Sequence, residues 1–183
     1  GGANNAADAR PQTAYNTGPL ARVNLNADLL TPVAKDCMTR AGLSVPEGDP
    51  FFYGSFMYLF ARLAGRYRVE VVPGVTSLVA CPAAAGMPLT LRDDVLVVVP
   101  ATLPEDVLAA RLGAGDVAAI VKVGRHLGRT KRVLDRLGLT ARASLVEHAT
   151  RPDQRVRALA EVAEDRAPYF SMILVHRRDE AGR

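Results

Sequence analysis

From Tyr67 onward, short apolar runs alternate with amphipathic segments, and this alternation limits the fold more than any other feature of the chain. "DVLVVVPA" (Asp94–Ala101) and "VAAIVKVG" (Val117–Gly124) are nearly continuous apolar runs, the pattern of strands buried on both faces. "YRVEVVPG" (Tyr67–Gly74) reads as a strand ending in a Pro-Gly turn, and "ARASLVEHAT" and "YFSMILVHRR" read as two more. Between them, "LPEDVLAARL" (Leu103–Leu112) places acids in its first turn and Arg111 in its last, as a helix dipole favours. "RTKRVLDRLGL" is a basic amphipathic helix closed by Gly138. "VTSLVACPAAAGMPL" is a small-residue helix opened by Thr76 or Ser77 and closed by Gly86, with Pro82 inside it. "RVRALAEVAED" is a mixed segment with helical content. This order predicts an α/β protein whose parallel or mixed sheet carries helices on its faces.

The N-terminal part reads differently. Gly1 to about Thr17 is rich in Gly, Ala and Asn without periodicity and is expected to be flexible. Leu20 to Leu43 has a weak helical pattern, diluted by Asn24, Asn26 and Asp28 and interrupted by Pro32. The character changes at Pro46.

Several function classes find no support. No apolar run approaches the roughly 20 residues of a membrane helix, and the N-terminus lacks the basic-then-apolar order of a secretory signal. Cys37 and Cys81 are far apart, so neither a disulfide framework nor a cysteine-rich zinc site is suggested, and a reducing cytoplasm fits best. His126, His148 and His176 are scattered and no HExxH occurs, so no metal site is expected. The net charge is +4, with Lys122, Arg125, Arg129, Lys131, Arg132, Arg136 and Arg142 clustered against Asp135. That segment suits an anionic partner. A nucleic-acid-binding module would rest on it alone, and a solvated helix face explains most of it.

The stretch "VPEGDPFFYGSFMYLFARL" (Val45–Leu63) is unusual in a chain with 5 % aromatics. Phe51, Phe52 and Tyr53 crowd one turn between Gly48 and Gly54, and Phe56 follows two residues later, in a helix expected over about Ser55–Ala64 and ended by Gly65. Such a corner is either packed or lines a pocket. "EGDPFFYGS", "VVPGVTS" and "VKVGRHLG" are glycine-containing loops beside strands, where open α/β sheets place ligands. None is a P-loop, and GxGxxG and GxSxG are absent. Glu147 and His148 are adjacent, but neighbouring strand residues face opposite ways, so they do not make a dyad.

"EGDPFFYGSFMYL", "VEVVPGVTSLVACPAAAGMPLT" and "EHATRPDQRV", in that order, resemble the tetrapyrrole (corrin/porphyrin) methylase family. With "DDVLVVVPATLPED", "VKVGR" and "APYFSMILV", the resemblance runs from about Pro46 to Arg178 and is strongest to the branch that methylates precorrin-2 at C(20) in cobalamin biosynthesis. It implies two α/β domains and S-adenosylmethionine, folded tightly, in a cleft between them. It implies cofactor contacts at Glu47, Gly48, Asp49 and Phe52 in the first loop, and at Thr76 and Ser77 in the second. Further contacts are implied at Val123, where many relatives carry Met, at Ala149 and Thr150, and at Ser171 beside Met172. No catalytic residue is implied, because the cofactor carries the chemistry of methyl transfer and the protein orients it. The basic segment is suited to the carboxylates of a tetrapyrrole. A cytoplasmic homodimer acting on precorrin-2, with no nucleic acid and no membrane, completes the picture.

The glycine-rich loop that opens the family's first strand has no counterpart before Ser44. The expectation is therefore an N-terminal methylase domain cut short: residues 1–45 non-matching, 46–92 a remnant of that domain, 93–178 the second domain and 179–183 a tail. Two functions follow from the resemblance. One is S-adenosylmethionine-dependent C-methylation; the other is a truncated, catalytically silent protein that binds a ligand or partner as a dimer.

Overall fold

Val117–Val121 forms a strand in which every residue is buried, and it lies inside a five-stranded sheet. The computed structural model describes residues 16–17, 20–23, 48–65 and 68–177, and they fall in two compact units, Gly1–Thr76 and Ser77–Arg183.

In the first unit, β1 (Asn16–Thr17) pairs antiparallel with β2 (Leu20–Val23), which pairs parallel with β3 (Arg68–Val71). Leu20–Val23 is thus a strand, not the start of a helix. Its weak helical signal yields to the ladder that β3 offers, as tertiary pairing overrides propensity. The remainder of the expected 20–43 helix, and all but Asn16 and Thr17 of the stretch expected to be flexible, lie outside the described residues. Helix α1 (Phe56–Leu63) follows the aromatic turn. Ser55 stands at its N-cap without a side-chain bond, and Ala64 caps its end ahead of Gly65.

In the second unit, β4 (Leu96–Pro100), β5 (Val117–Val121), β6 (Ala143–Glu147), β7 (Arg155–Ala158) and β8 (Ser171–His176) lie in the order β4-β5-β8-β6-β7. Only β4 and β5 pair in parallel; β8 runs antiparallel to both β5 and β6, and β7 antiparallel to β6. The sheet is therefore mixed. Arg155–Ala158 is an edge strand, where a mixed segment with helical content was expected. Its alternation of Arg155, Val156, Arg157 and Ala158 matches a strand with one solvated face, and only Leu159–Glu161 makes a helical turn.

Alternation along the strands builds two cores. Ala118 and Ile120 of β5, Leu145 of β6, and Ile173 and Val175 of β8 pack with Leu108 and Leu112 of α3 (Glu105–Leu112). Leu127, Val133 and Leu134 of α4 (Leu127–Arg136) join the same cluster. Ala119, Val121, Val146, Met172 and Leu174 face the other way and meet Cys81 of α2 (Ser77–Ala84). Each fully buried Leu contributes about 2 kcal/mol of burial free energy.

Two helices in this unit stop by the same device. Gly86 and Gly138 have φ of +64° and +67°, and the next residues, Met87 and Leu139, donate back to Pro82 and Leu134. This paired-bond ending suits glycine, which takes a left-handed conformation without strain. Pro82 sits within α2 without ending it.

Candidate functional site

In the first unit the two glycine loops lie against each other. The Asp49 carboxylate accepts the Phe51 amide at 2.9 Å through one oxygen and the Gly74 amide at 3.0 Å through the other. A Cβ on Gly74 would stand 2.4 Å from the Gly48 carbonyl oxygen, so only glycine permits this approach. Gly48 has φ +83° and lies next to the backbone of Val75 and Thr76. The structure thus brings Gly48, Asp49 and Thr76 together. Asp49 spends both carboxylate oxygens on backbone amides and binds the two loops as one piece.

The aromatic corner is packed in part. Phe51 meets Phe60 edge-on at 5.0 Å and Phe56 at 5.7 Å, and Phe56 is buried. Phe52 lies edge-on to Tyr53 at 5.0 Å and is half-buried. Phe51 and Tyr53 keep 47 % and 45 % of their surface exposed, so the corner presents aromatic surface as well as burying it. Glu47 lies outside the described residues.

In the second unit, strand directions and register bring Val123, Ala149, Thr150 and Ser171 to one edge of the sheet. The carboxyl ends of β5 and β6 and the amino end of β8 lie there, with Glu147 opposite Ser171. Non-glycine residues with positive φ gather at the same edge: Lys122 at +58°, His148 at +49° and Thr150 at +66°. Such conformations are costly outside glycine, most of all for β-branched Thr, and they cluster where backbone geometry is functional. Ala149 packs on the cluster of Val121, Val146 and Met172, which makes an apolar floor under the loop. Val123 and Met172 are core residues, so any contact Val123 offers comes from its backbone. The Ser171 hydroxyl donates to Pro168 O at 2.7 Å. Ser77 begins α2, whose body covers the same face of the sheet as that floor.

Glu147 and His148 go separate ways. Glu147 is buried and pairs with Arg157 at 3.1 Å, one strand across and two positions along from its register partner Arg155. His148 Nδ1 is bonded to the Asp153 carboxylate. Partial desolvation pushes the Asp153 carboxyl up. Its own backbone amide and the His148 ring outweigh this and hold it below the ordinary aspartate value.

The basic segment is mostly engaged in structure. Arg132 and Arg136 reach Glu105 at 3.3 and 3.8 Å, Lys131 donates to the carbonyls of Val162 and Glu164, and Arg129 donates to Ala101 O. These bonds tie α4 to its neighbours. Partial desolvation and then the charges of Arg129 and Arg125 push His126 below the ordinary histidine range.

Gln154, Asp153 and Arg157 are the residues a reading of the sequence passes over. Their signal was present in "EHATRPDQRVR", whose polar residues recur at loop and strand spacings that become partners only once β6 and β7 are paired.

A sequence model of the tetrapyrrole (corrin/porphyrin) methylases matches residues 16–163. It therefore takes in much of the stretch before Pro46 that the motifs leave unmatched. The precorrin-2 C(20)-methyltransferase of Sinorhizobium sp is 44 % identical over 162 residues, covering 88 % of this chain and 65 % of that protein. The cobalt-precorrin-2 C(20)-methyltransferase of Salmonella typhimurium is 37 % identical over 135 residues, covering 73 % of this chain and 57 % of that one. The chain thus spans less than two thirds of the length of these curated relatives. Among solved structures, the uroporphyrin-III C-methyltransferase of Thermus thermophilus complexed with S-adenosylhomocysteine superposes with a TM-score of 0.54 at 26 % identity, over 79 % of this chain and 72 % of that one.

Proposed function

Because the chain belongs to the tetrapyrrole (corrin/porphyrin) methylase family, we propose that it serves as an S-adenosylmethionine-dependent methyltransferase of cobalamin biosynthesis that methylates precorrin-2 at C(20). The observation that carries this reading is the 44 % identity to the Sinorhizobium precorrin-2 C(20)-methyltransferase over 88 % of the chain.

The residues present fit the cofactor. S-adenosylmethionine offers an apolar adenine, ribose hydroxyls and a charged amino-acid end, and it supplies an activated methyl group. Ala149, which packs on the buried Val121, Val146 and Met172, offers the base an apolar surface. Backbone groups at Val123, between the positive-φ residues Lys122 and Gly124, and at Ala149 and Thr150, in a loop where His148 and Thr150 have positive φ, suit its polar edges. In the first unit, Gly48 and Thr76 present backbone, Asp49 fixes the loop, and Phe52 offers an apolar contact. Glu47, Ser77 and Ser171 complete the proposed set. Together these backbone groups and side chains bind, orient and keep water away, which is what displacement of a methyl group from sulfur requires of a protein. A cytoplasmic homodimer is part of the same proposal. The exposed Tyr58, Met57 and Phe51 of the first unit support a second copy as partner.

Two measurements on the full chain test the reading. Calorimetric titration with S-adenosylhomocysteine is expected to show one saturable site. Incubation with S-adenosylmethionine and precorrin-2 is expected to give a product heavier by one methylene. Binding without transfer would leave the silent, ligand-binding protein as the answer, and folded chain without binding would end the enzyme reading and leave a protein that binds a partner.

A further inference from the structure

We infer that Gln154 is a positioning residue, which holds the backbone of Thr150 in its left-handed conformation so that the Ala149–Thr150 loop presents itself to the cofactor. This rests on the cofactor reading proposed for that loop.

The loop from His148 to Gln154 turns tightly at the carboxyl end of β6. His148 and Thr150 have φ of +49° and +66°, and neither is glycine. A β-branched residue in that region is a clear outlier and persists only where its surroundings over-determine it. The determinants are visible. Gln154 Oε1 accepts the Thr150 amide at 2.7 Å. Its Nε2 points to the carbonyl of Ala84 at 3.5 Å, at the end of the helix that begins with Ser77. One side chain thus spans the loop and the helix, both within the second unit. Around it, the Arg151 amide donates to His148 O and the Gln154 amide to Arg151 O, each at 3.0 Å. His148 binds Asp153, and the Arg151 guanidinium lies 5.4 Å from the Phe170 ring centroid. Among these loop bonds, that of Thr150 runs from the backbone amide of a strained residue to a side chain of the loop, whereas Asp153 takes the side chain of His148. Loss of the Thr150 bond leaves the left-handed conformation without its local support.

Gln154 is exposed, so its replacement removes a bond without hollowing the core. Gln154→Leu keeps the size and removes both bonds. Gln154→Glu keeps the acceptor for the Thr150 amide and loses the donor to Ala84. The full chain and both variants are titrated with S-adenosylhomocysteine, and amide hydrogen exchange is followed at Thr150. Gln154→Leu is expected to weaken binding about tenfold, the effect of one lost bond, and to speed exchange at Thr150, with the thermal midpoint held. Gln154→Glu is expected to stay within about threefold of the unaltered chain in binding, with Thr150 still protected. Equal binding by Gln154→Leu and the unaltered chain overturns the inference alone, and so does an equal loss in both variants. An unaltered chain that binds no S-adenosylhomocysteine overturns the cofactor reading and the inference with it.

Discussion

The carboxylate of Asp49 accepts the amide of Gly74 at 3.0 Å across 25 residues of sequence, and this bond makes one structure of two loops. Its other oxygen closes the Asp49 turn on Phe51. Hydrogen bonds to a charged acceptor are worth about 1.5–3 kcal/mol each. Asp49→Ala is expected to destabilise the first unit by about 2–4 kcal/mol in denaturant unfolding, because two such bonds go and solvent replaces them only in part. Wild-type stability in that variant would show that the loops are held by other means.

Gly74→Ala tests the closeness of the same loops. The added methyl meets the Gly48 carbonyl oxygen at 2.4 Å, and backbone on both sides leaves little room to yield. The expected cost is about 1–3 kcal/mol, with weaker binding of S-adenosylhomocysteine as the loops separate. Gly65→Ala is the control: nothing lies within 4 Å of its Cβ, and the thermal midpoint is expected to stay where it is.

How far the sequence carries depends on how local each signal is. The β5 strand is legible because five apolar residues stand together, and the end of α4 is legible because Gly138 follows a helical pattern directly. The Asp49–Gly74 bond is not legible, since nothing local joins an acid to an amide so far away. Nor is the left-handed backbone of His148 and Thr150, because sequence points to positive φ chiefly through glycine. Arg157 was hidden for a third reason: its partnership with Glu147 depends on a register that only the paired strands define. The residues named for the cofactor therefore emerge from motifs, while those that hold them in place emerge from the fold.

Arg157→Met isolates the buried charge of Glu147. The carboxylate side chain is 6 % exposed and loses its cation, whereas Arg157 itself is 28 % exposed. Breaking a fully buried pair from one side costs about 3–5 kcal/mol, and the partial exposure of Arg157 lowers the expectation to about 2–4 kcal/mol. Glu164→Ala removes the other, solvent-facing partner of Arg157 and is expected to leave the denaturation midpoint close to that of the unaltered chain. Chemical denaturation of the two variants side by side checks the asymmetry.

Cys81 gives a pH-dependent readout of the packing between α2 and the sheet. Burial pushes its thiol up to about 11 from 9.0. The folded state thus holds the proton more tightly than the unfolded chain. The resulting stability is complete below pH 9.0 and is lost as pH rises towards about 11. In that window stability is expected to fall by about 1.4 kcal/mol per pH unit on this account, and Cys81→Ala is expected to flatten the slope. At pH 8 native Cys81 is expected to resist alkylation that denaturant permits, as peptide mapping would show.

The order of β8 in the sheet has a consequence for the life history of the chain. It is the latest of the described strands to be synthesised, yet it lies between β5 and β6 and joins them. Until Ser171–His176 emerges from the ribosome, the nascent second unit holds two half-sheets with their apolar edges facing a gap. Cotranslational folding can assemble the helices and outer strands, but closure of this sheet waits for β8.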